Sequence, residues 1–235
     1  MVKYWPWPLT LNERYDRQTE AVIKKVCKPD SACIDVGCYQ GEILALMMKY
    51  APNARHYAFE PIPEQYNKLK EKFKGRVVIY PYALGDENKE TTFNHVISNP
   101  TYSGLKKRKY KGEENIREIK VQVRQLDEVI SNDTPIRLIK IDVEGGEFDV
   151  LRGSMKTLKR WRPFIIFEHG VGGSDKYGVG PSDMYRFLVH DLGYTITLME
   201  DYLKNEKSFG FSLSEFEEQF WEGKNTYFMA KGQSL

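Results

Sequence analysis

The chain of 235 residues is poor in cysteine and has no cysteine pattern. Cys27, Cys33 and Cys38 make an odd number, and no two are spaced CxxC. That excludes a disulfide framework or a cysteine-zinc centre as the organising feature. Reduced, mostly buried thiols in a cytoplasmic protein are the expectation. Long apolar runs are also missing. Ile43 to Met48 is among the longest, far short of the ~20 residues of a membrane span. The opening Met1-Val-Lys-Tyr-Trp-Pro-Trp-Pro has no apolar segment of the export type, so no export signal is expected. An excess of one charge is absent too: 35 Lys plus Arg against 33 Asp plus Glu leave +2. A protein organised around a long-range basic field for nucleic acid is therefore excluded. What is present, 41% hydrophobic and 13% aromatic residues, is enough to build a core and excludes a disordered chain.

The pattern along the chain is an alternation of apolar runs with amphipathic segments. Residues 11–27 read as a helix carrying Leu11, Tyr15, Val22, Ile23 and Val26 near one face, ended by Pro29-Asp30. Strands are expected at 32–36, 55–60, 76–84, 136–143, 164–168, 194–199 and 225–230. Helices are expected at 42–50, 64–73, 147–160 and 183–191, with Pro61 and Pro63 opening the second of these. Near-continuous apolar strands separated by helices imply an α/β chain with a mainly parallel sheet covered on both faces. Two segments interrupt the alternation. Residues 87–125 form a polar insertion with extended pieces at 91–97 and 119–123 flanking the basic stretch Lys106 to Lys111. Residues 170–180 form a glycine-rich loop, read as a lid over the ligand cleft. Phe209, Phe211, Phe216, Phe220 and Trp221 read as an apolar face near 212–222 used in core packing, and the aromatic start (Tyr4, Trp5, Trp7) as a cover for the cleft or a tail.

In such sheets ligands sit beyond the carboxyl ends of the strands. The first strand runs into Asp35-Val-Gly37-Cys38-Tyr39-Gln-Gly41, where two glycines suit a tight turn. A dinucleotide fingerprint would be GxGxxG. Here Tyr39 stands at the middle glycine, which counts against a nicotinamide or flavin dinucleotide and suits a ligand without phosphate. Asp35 can accept hydrogen bonds from an ammonium group or from the loop. Glu60, followed by Pro61, lies 23 residues past Gly37 and is placed to hold both ribose hydroxyls. Ala83-Leu84-Gly-Asp86 would edge a base pocket. Asp142, Glu144 and Glu147 cluster around a Gly-Gly turn; a solvated helix start accounts for Glu147, whereas Asp142 ends a buried strand and should face the cleft. Glu168 and His169 close the next strand.

Asp35-Val-Gly37 with Gly41, Glu60-Pro61, Ala83-Leu-Gly-Asp86, Gln125-Leu-Asp-Glu128, Ile139-Lys-Ile-Asp-Val-Glu-Gly-Gly-Glu147 and Val150-Leu-Arg-Gly153 together resemble the FkbM-type methyltransferases over roughly residues 31–170. The resemblance implies a Rossmann-like class I methyltransferase fold with a mainly parallel seven-stranded sheet and helices on both faces. It implies one methyltransferase domain over 31–235, preceded by a lead-in segment over 1–30. It also implies S-adenosylmethionine as cofactor, S-adenosylhomocysteine as product, and O-methylation of a hydroxyl on a sugar, glycan or secondary metabolite. Asp35, Gly37, Cys38, Tyr39 and Gly41 would form the methionine-side loop, Glu60 and Pro61 the ribose site, and Ala83, Leu84 and Asp86 the adenine edge. Asp142 and Glu144 would line the transfer site. The family usually carries Ala-Asn where this chain has Cys38-Tyr39.

Methylating an alcohol requires a base to take its proton. His169 is the first candidate, with Asp142 and Glu168 beside it. Tyr102 and Lys106 are candidates for contact with the acceptor. Asp142, Glu144 and Glu168 could instead hold a magnesium ion through hard oxygen ligands. Ser98-Asn-Pro-Thr-Tyr102 resembles the Asn-Pro-x-Tyr string of amino-group methyltransferases but precedes the Asp142 strand by about 40 residues, so it reads as a turn. If Lys106 to Lys111 act, they favour an anionic acceptor such as a phosphorylated or nucleotide-linked sugar, or, as a separate reading, RNA. A non-catalytic cofactor-binding scaffold on the same fold is the reading from another class.

Overall fold

The computed structural model describes residues 10–107 and 112–232. The aromatic start and the stretch 108–111 lie outside the described residues. In chain order the strands are β1 (Ala32–Val36), β2 (Tyr57–Phe59), β3 (Val78–Tyr80), β4 (Tyr82–Leu84), β5 (Lys89–Val96), β6 (Ile116–Arg124), β7 (Ile136–Ile141), β8 (Phe164–Glu168), β9 (Tyr194–Thr197) and β10 (Tyr227–Gly232). The helices are α1 (Leu11–Val26), α2 (Glu42–Tyr50), α3 (Pro63–Phe73), α4 (Leu126–Val129), α5 (Glu147–Arg152), α6 (Met155–Trp161), α7 (Pro181–Tyr185), α8 (Met199–Lys204) and α9 (Leu213–Trp221).

Seven strands form one sheet in the order β3-β2-β1-β7-β8-β10-β9. β1, β2, β3, β7 and β8 pair in parallel, and β10 runs antiparallel between β8 and β9. The order doubles back at β1, so the crevice beyond Val36 and Ile141 is the topological switch point, where ligands bind in this architecture. β1 and β7 are buried at every position except Arg137 because helices cover both faces. On one face α1 packs against α2 and α8. It starts with a capping box between Thr10 and Glu13 and buries Tyr15, Thr19, Val22, Ile23 and Val26. On the other face Val150, Leu151, Leu158, Leu188 and Phe216 close the larger core. Phe216 and Phe220 of α9 are fully buried, whereas Phe209 and Trp221 are exposed.

Three elements differ from the sequence pattern. The strand expected over 76–84 divides at Pro81, which has no N–H to give to a ladder. β3 stays at the edge of the large sheet, while β4 leaves it and pairs with β6, which in turn pairs antiparallel with β5. The insertion is therefore a small sheet of its own, order β4-β6-β5. The helix expected over 147–160 breaks at Gly153-Ser154. A Cβ at Gly153 would lie 1.9 Å from the Gly85 carbonyl oxygen, so the backbones meet there and the helix restarts as α6. The segment 181–191 is α7 followed by a π-helical turn, Arg186–Asp191.

Candidate active site

The turn after β1 is built by positive backbone angles. Gly37, Tyr39 and Gly41 have φ of 76°, 44° and 72°. Gly37 is required twice over: its φ favours glycine, and a Cβ there would lie 1.9 Å from the Asp142 carbonyl oxygen. The turn is tied to β2 by bonds from the N–H groups of Gly37 and Cys38 to the Phe59 carbonyl, 3.0 and 3.3 Å. Glu60 completes the tie. Its Oε2 accepts from the Tyr39 N–H at 3.0 Å and its Oε1 from the Ile62 N–H at 2.9 Å. Each oxygen keeps a second lone pair. Burial pushes the Glu60 carboxyl up to about 7 against these hydrogen bonds.

Asp35 is 1% exposed, and neither of its oxygens has a hydrogen-bond partner among the described residues. Burial lifts its carboxyl to about 6, with Lys140 restraining the rise. Lys140 is the penultimate residue of β7, buried between Ile139 and Ile141. Burial opposes its charge, but Asp142 and Asp35 outweigh this and hold the ammonium above its ordinary range. Its Nζ donates to Asp142 Oδ2 at 2.9 Å, and the Tyr227 hydroxyl donates to the same oxygen. Asp142 is thus held from both sides at the end of β7. The Gly-Gly turn that follows puts Glu144 at φ 61°, and the N–H groups of Val143 and Gly145 donate to Glu147 Oε1 at 3.0 and 3.1 Å.

Asp35, Glu60, Lys140, Asp142, Glu144 and Tyr227 share one cavity of about 420 Å³. Of the residues singled out from sequence, Asp35, Gly37, Cys38, Tyr39, Glu60, Pro61, Ala83, Leu84, Tyr102, Asp142, Glu144 and Glu168 line it. Ligand oxygens of Asp142, Glu144 and Glu168 lie within 4.8 Å of one another. Asp35, with unpartnered oxygens and a cationic neighbour already balanced by Asp142, fits an ammonium ligand. Glu60 fits a diol, and Tyr82, Ala83, Leu84, Ile62 and Phe93 give the far end an apolar wall suited to a base.

Five expectations are corrected. His169 is fully buried, outside the cavity, with its ring 5.7 Å from Phe216 and 4.7 Å from Phe220. Burial pulls it down to about 4, so it is a neutral core residue and not the base. Its place at a strand end was right, but the side chain turns into the core. Asp86 does not line the cavity; its carboxylate pairs with Arg152 at 3.2 Å. Lys106 also stays outside, its Nζ on the Lys176 carbonyl at 3.3 Å and 4.9 Å over the Tyr177 ring. Gly41 supports the site from behind, where a Cβ would lie 2.6 Å from Phe73 and 2.8 Å from Leu69. Glu147 is fully buried and clamps the turn from inside, with burial pushing it to about 7; it is not a solvated helix start.

The sequence pattern missed Lys140, Tyr227, Tyr177, Tyr15 and Asp16, all of which line the cavity. Lys140 carried a signal, a lone cation in the run Leu138-Ile-Lys-Ile. The others come from α1, the glycine-rich loop and β10, where only the tertiary fold aims them. That loop is itself ordered around Tyr177, whose phenol oxygen accepts from the Lys106 N–H at 3.2 Å and whose ring packs over Gly145 and Gly146.

A switch-point cavity lined by one acid suited to a diol and another suited to an ammonium group, on a mainly parallel seven-stranded sheet, has the architecture of the class I methyltransferases that use S-adenosylmethionine. The family model described as Methyltransferase FkbM domain matches residues 35–196, and the chain belongs to that family. Among curated proteins it is 28% identical over 216 residues to the AMB antimetabolite synthetase AmbE of Pseudomonas aeruginosa, covering 76% of this chain and 10% of that protein. The chain thus spans about one tenth of that relative's length. It is 26% identical to the 2-O-methyltransferase NoeI of Sinorhizobium fredii, over 63% of this chain and 67% of NoeI. Among solved structures, an FkbM methyltransferase from Methylobacillus flagellatus superposes with a TM-score of 0.54 at 16% identity, covering 87% of this chain and 44% of that one. SMU.1697c of Streptococcus mutans, solved with S-adenosylhomocysteine, gives 0.50 at 13% identity over 93% of this chain and 97% of that one. At these identities the two structures show a shared fold.

Proposed function

We propose that the protein transfers a methyl group to a hydroxyl oxygen of a sugar, glycan or secondary-metabolite acceptor. The observation that carries this reading is the continuity of the cavity: the acids suited to the cofactor (Asp35, Glu60) and those suited to an acceptor (Asp142, Glu144, Glu168) line one space. The names of NoeI and AmbE support an oxygen acceptor and a small-molecule context.

The cofactor supplies an electrophilic methyl on a sulfonium whose departure leaves a neutral thioether. In this chain Asp35 would receive the ammonium and Glu60 the ribose hydroxyls, while the turn at Gly37 brings backbone close to the ligand. Lys140 and Tyr227 fix Asp142, so that carboxylate serves to orient; taking up a proton at Oδ2 would cost it two hydrogen bonds. Glu168, across the β8–β10 ladder from Tyr227, is then the group to take the proton from the acceptor hydroxyl. Holding acceptor and methyl in line contributes up to ~7–11 kcal/mol, and the base ~10²–10⁴-fold.

The lining also speaks to acceptor charge. Among the described residues that line the cavity, Lys140 is the only Lys or Arg, against Asp16, Glu42, Asp142, Glu144 and Glu168. Those five acids favour a neutral or amine-bearing acceptor. A second reading, in which Asp142, Glu144 and Glu168 hold a divalent cation that acidifies the acceptor, is favoured by their 4.8 Å grouping.

The test is transfer of labelled methyl from S-adenosylmethionine to a panel of free, amino and phosphorylated sugars, with and without exhaustive chelation. Transfer to the free or amino sugars that persists under chelation and falls by ~10²-fold or more in Glu168→Gln supports the base reading. Loss under chelation, restored by magnesium, selects the metal reading. Cofactor binding with no transfer to any hydroxyl compound returns weight to the scaffold.

A further inference from the structure

Away from the cavity, two of the three thiols face each other. Cys27 caps the C-terminus of α1, and Cys33 sits in β1, two residues before Asp35. Between them a tight turn doubles the chain back: the Ser31 N–H donates to the Lys28 carbonyl at 2.9 Å and the Lys28 N–H to Ser31 Oγ at 2.8 Å. The turn brings Cys27 Sγ to 3.5 Å from Cys33 Sγ. A disulfide needs about 2.05 Å, so closing the gap takes about 1.5 Å of side-chain movement and no passage of one element past another.

The two thiols are not equivalent. Cys27 is half-buried beside the exposed residues Lys28, Pro29 and Asp30, whereas Cys33 is fully buried. Only Cys27 can meet a solute. Arg137, anchored through its Nε to the Val26 carbonyl at 2.9 Å, places a positive charge near it. The hydrogen bond from Cys33, aided by that charge, lowers the Cys27 thiol below its ordinary range against the effect of burial. Cys33 sits behind it, and the Ser31 carbonyl, 3.4 Å from its Sγ, is the alternative acceptor for its single S–H. An accessible, activated thiol backed by a buried second thiol is the arrangement of an attacking and a resolving cysteine.

We propose that Cys27 and Cys33 form a peroxide-sensitive dithiol that oxidises to an intramolecular disulfide. The Cys27 thiolate attacks one oxygen of a hydroperoxide, giving the sulfenic acid and releasing hydroxide, or alkoxide from an organic peroxide. The Cys33 thiol then attacks the Cys27 sulfur, the S–O bond breaks, and water leaves with the Cys33 proton as the S–S bond forms. Two electrons pass from the thiol pair to the peroxide, and a dithiol reductant reverses the change. The bridge joins the end of α1 to the strand that carries Asp35, so the oxidised form reports into the cofactor site through β1.

The experiment treats the whole purified chain with a slight excess of hydrogen peroxide. Thiols are counted after denaturation and the bridge is mapped by peptide mass. The expected result is a fall from three free thiols to one, a mass lower by two hydrogens, a 27–33 bridge and recovery with dithiothreitol. Cys27 should be consumed at least about tenfold faster than the buried Cys38. The Cys33→Ser protein, lacking the resolving thiol, should accumulate a Cys27 sulfenic acid that dimedone traps. Three thiols remaining would overturn the proposal. So would oxidation of Cys27 to sulfinic acid in the native chain without bridging, or a bridge between two copies of the chain. Because the readout is thiol chemistry, it stands or falls independently of methyl transfer.

Discussion

At the scale of single residues, Lys140 explains most of the site. A buried ammonium is tolerated when its charge is answered, and here Asp35 and Asp142 answer it from the ends of two adjacent strands. Asp35 is left with unpartnered oxygens and a raised affinity for a proton, and its cofactor role follows. Asp35→Asn should weaken S-adenosylmethionine binding by ~10–150-fold, as expected for losing a hydrogen bond to a charged group. Binding to the native protein should strengthen as pH rises through about 6, where Asp35 ionises, and again near 7, where Glu60 does; calorimetry from pH 5 to 8 should find the lower limb missing in the variant and the upper one kept. His169 behaves oppositely. Its folded-state value, about 4, lies below the ordinary 6.5, so the unfolded chain takes up its proton first on acidification. The stability it permits is present above pH 6.5 and is lost as pH falls toward 4, by about 3 kcal/mol. His169→Phe should keep methyl transfer within about twofold, since the ring touches nothing in the cavity. It should also flatten the fall in denaturant midpoint between pH 6.5 and 4.

The residues legible in the sequence were those whose backbone had to be special. Gly37 and Gly41 announced the turn, and the 23-residue spacing announced Glu60. His169 was illegible because a strand end says where a residue is and not which side it faces. Asp86 was illegible because its partner, Arg152, stands 66 positions on and joins it only in three dimensions.

At the scale of elements, the site depends on two close backbone approaches, Gly37 against Asp142 and Gly153 against Gly85. Gly37→Ala must take a left-handed backbone and put a methyl 1.9 Å from the Asp142 carbonyl oxygen, just past the end of β7. The cost should be about 3 kcal/mol or more, read as a lower urea midpoint, together with loss of cofactor binding. Strand identities could be read from apolar runs, as for β1, β7 and β8. The division at Pro81 could not be read from hydropathy, because both halves are apolar and only the missing N–H separates them. The antiparallel entry of β10 between β8 and β9 likewise has no local signature.

At the scale of the whole molecule, the first described helix is fastened to the last strand. The Thr226 N–H donates to the Tyr15 hydroxyl at 3.2 Å, that hydroxyl donates to Asn225 Oδ1 at 3.3 Å, and Arg14 donates to the same oxygen at 2.8 Å. The Tyr15 ring also lies 4.9 Å from that of Tyr227, the residue that holds Asp142. Tyr15→Phe keeps the ring contact and removes the hydroxyl, so it should cost about 1 kcal/mol in denaturant unfolding. A disproportionate fall in kcat would show that α1 acts on Asp142 through Tyr227.

The two chain crossings that join the small sheet to the large one lie side by side. The chain leaves the cofactor wall at Leu84 and returns at Arg124, which pairs with it directly, and the Gly85 N–H donates to the Arg124 carbonyl at 3.1 Å. Both ends of the intervening hairpin are therefore fixed at one doorway, and lengthening a loop between fixed ends adds only ~0.6 kcal/mol per doubling. Evolution can exchange that cassette, which brings Phe93, Tyr102 and Leu105 to the cavity, without disturbing the inherited frame. A protein engineer can do the same, grafting a relative's hairpin between Leu84 and Arg124 to reassign the acceptor while Asp35 and Glu60 stay where they are.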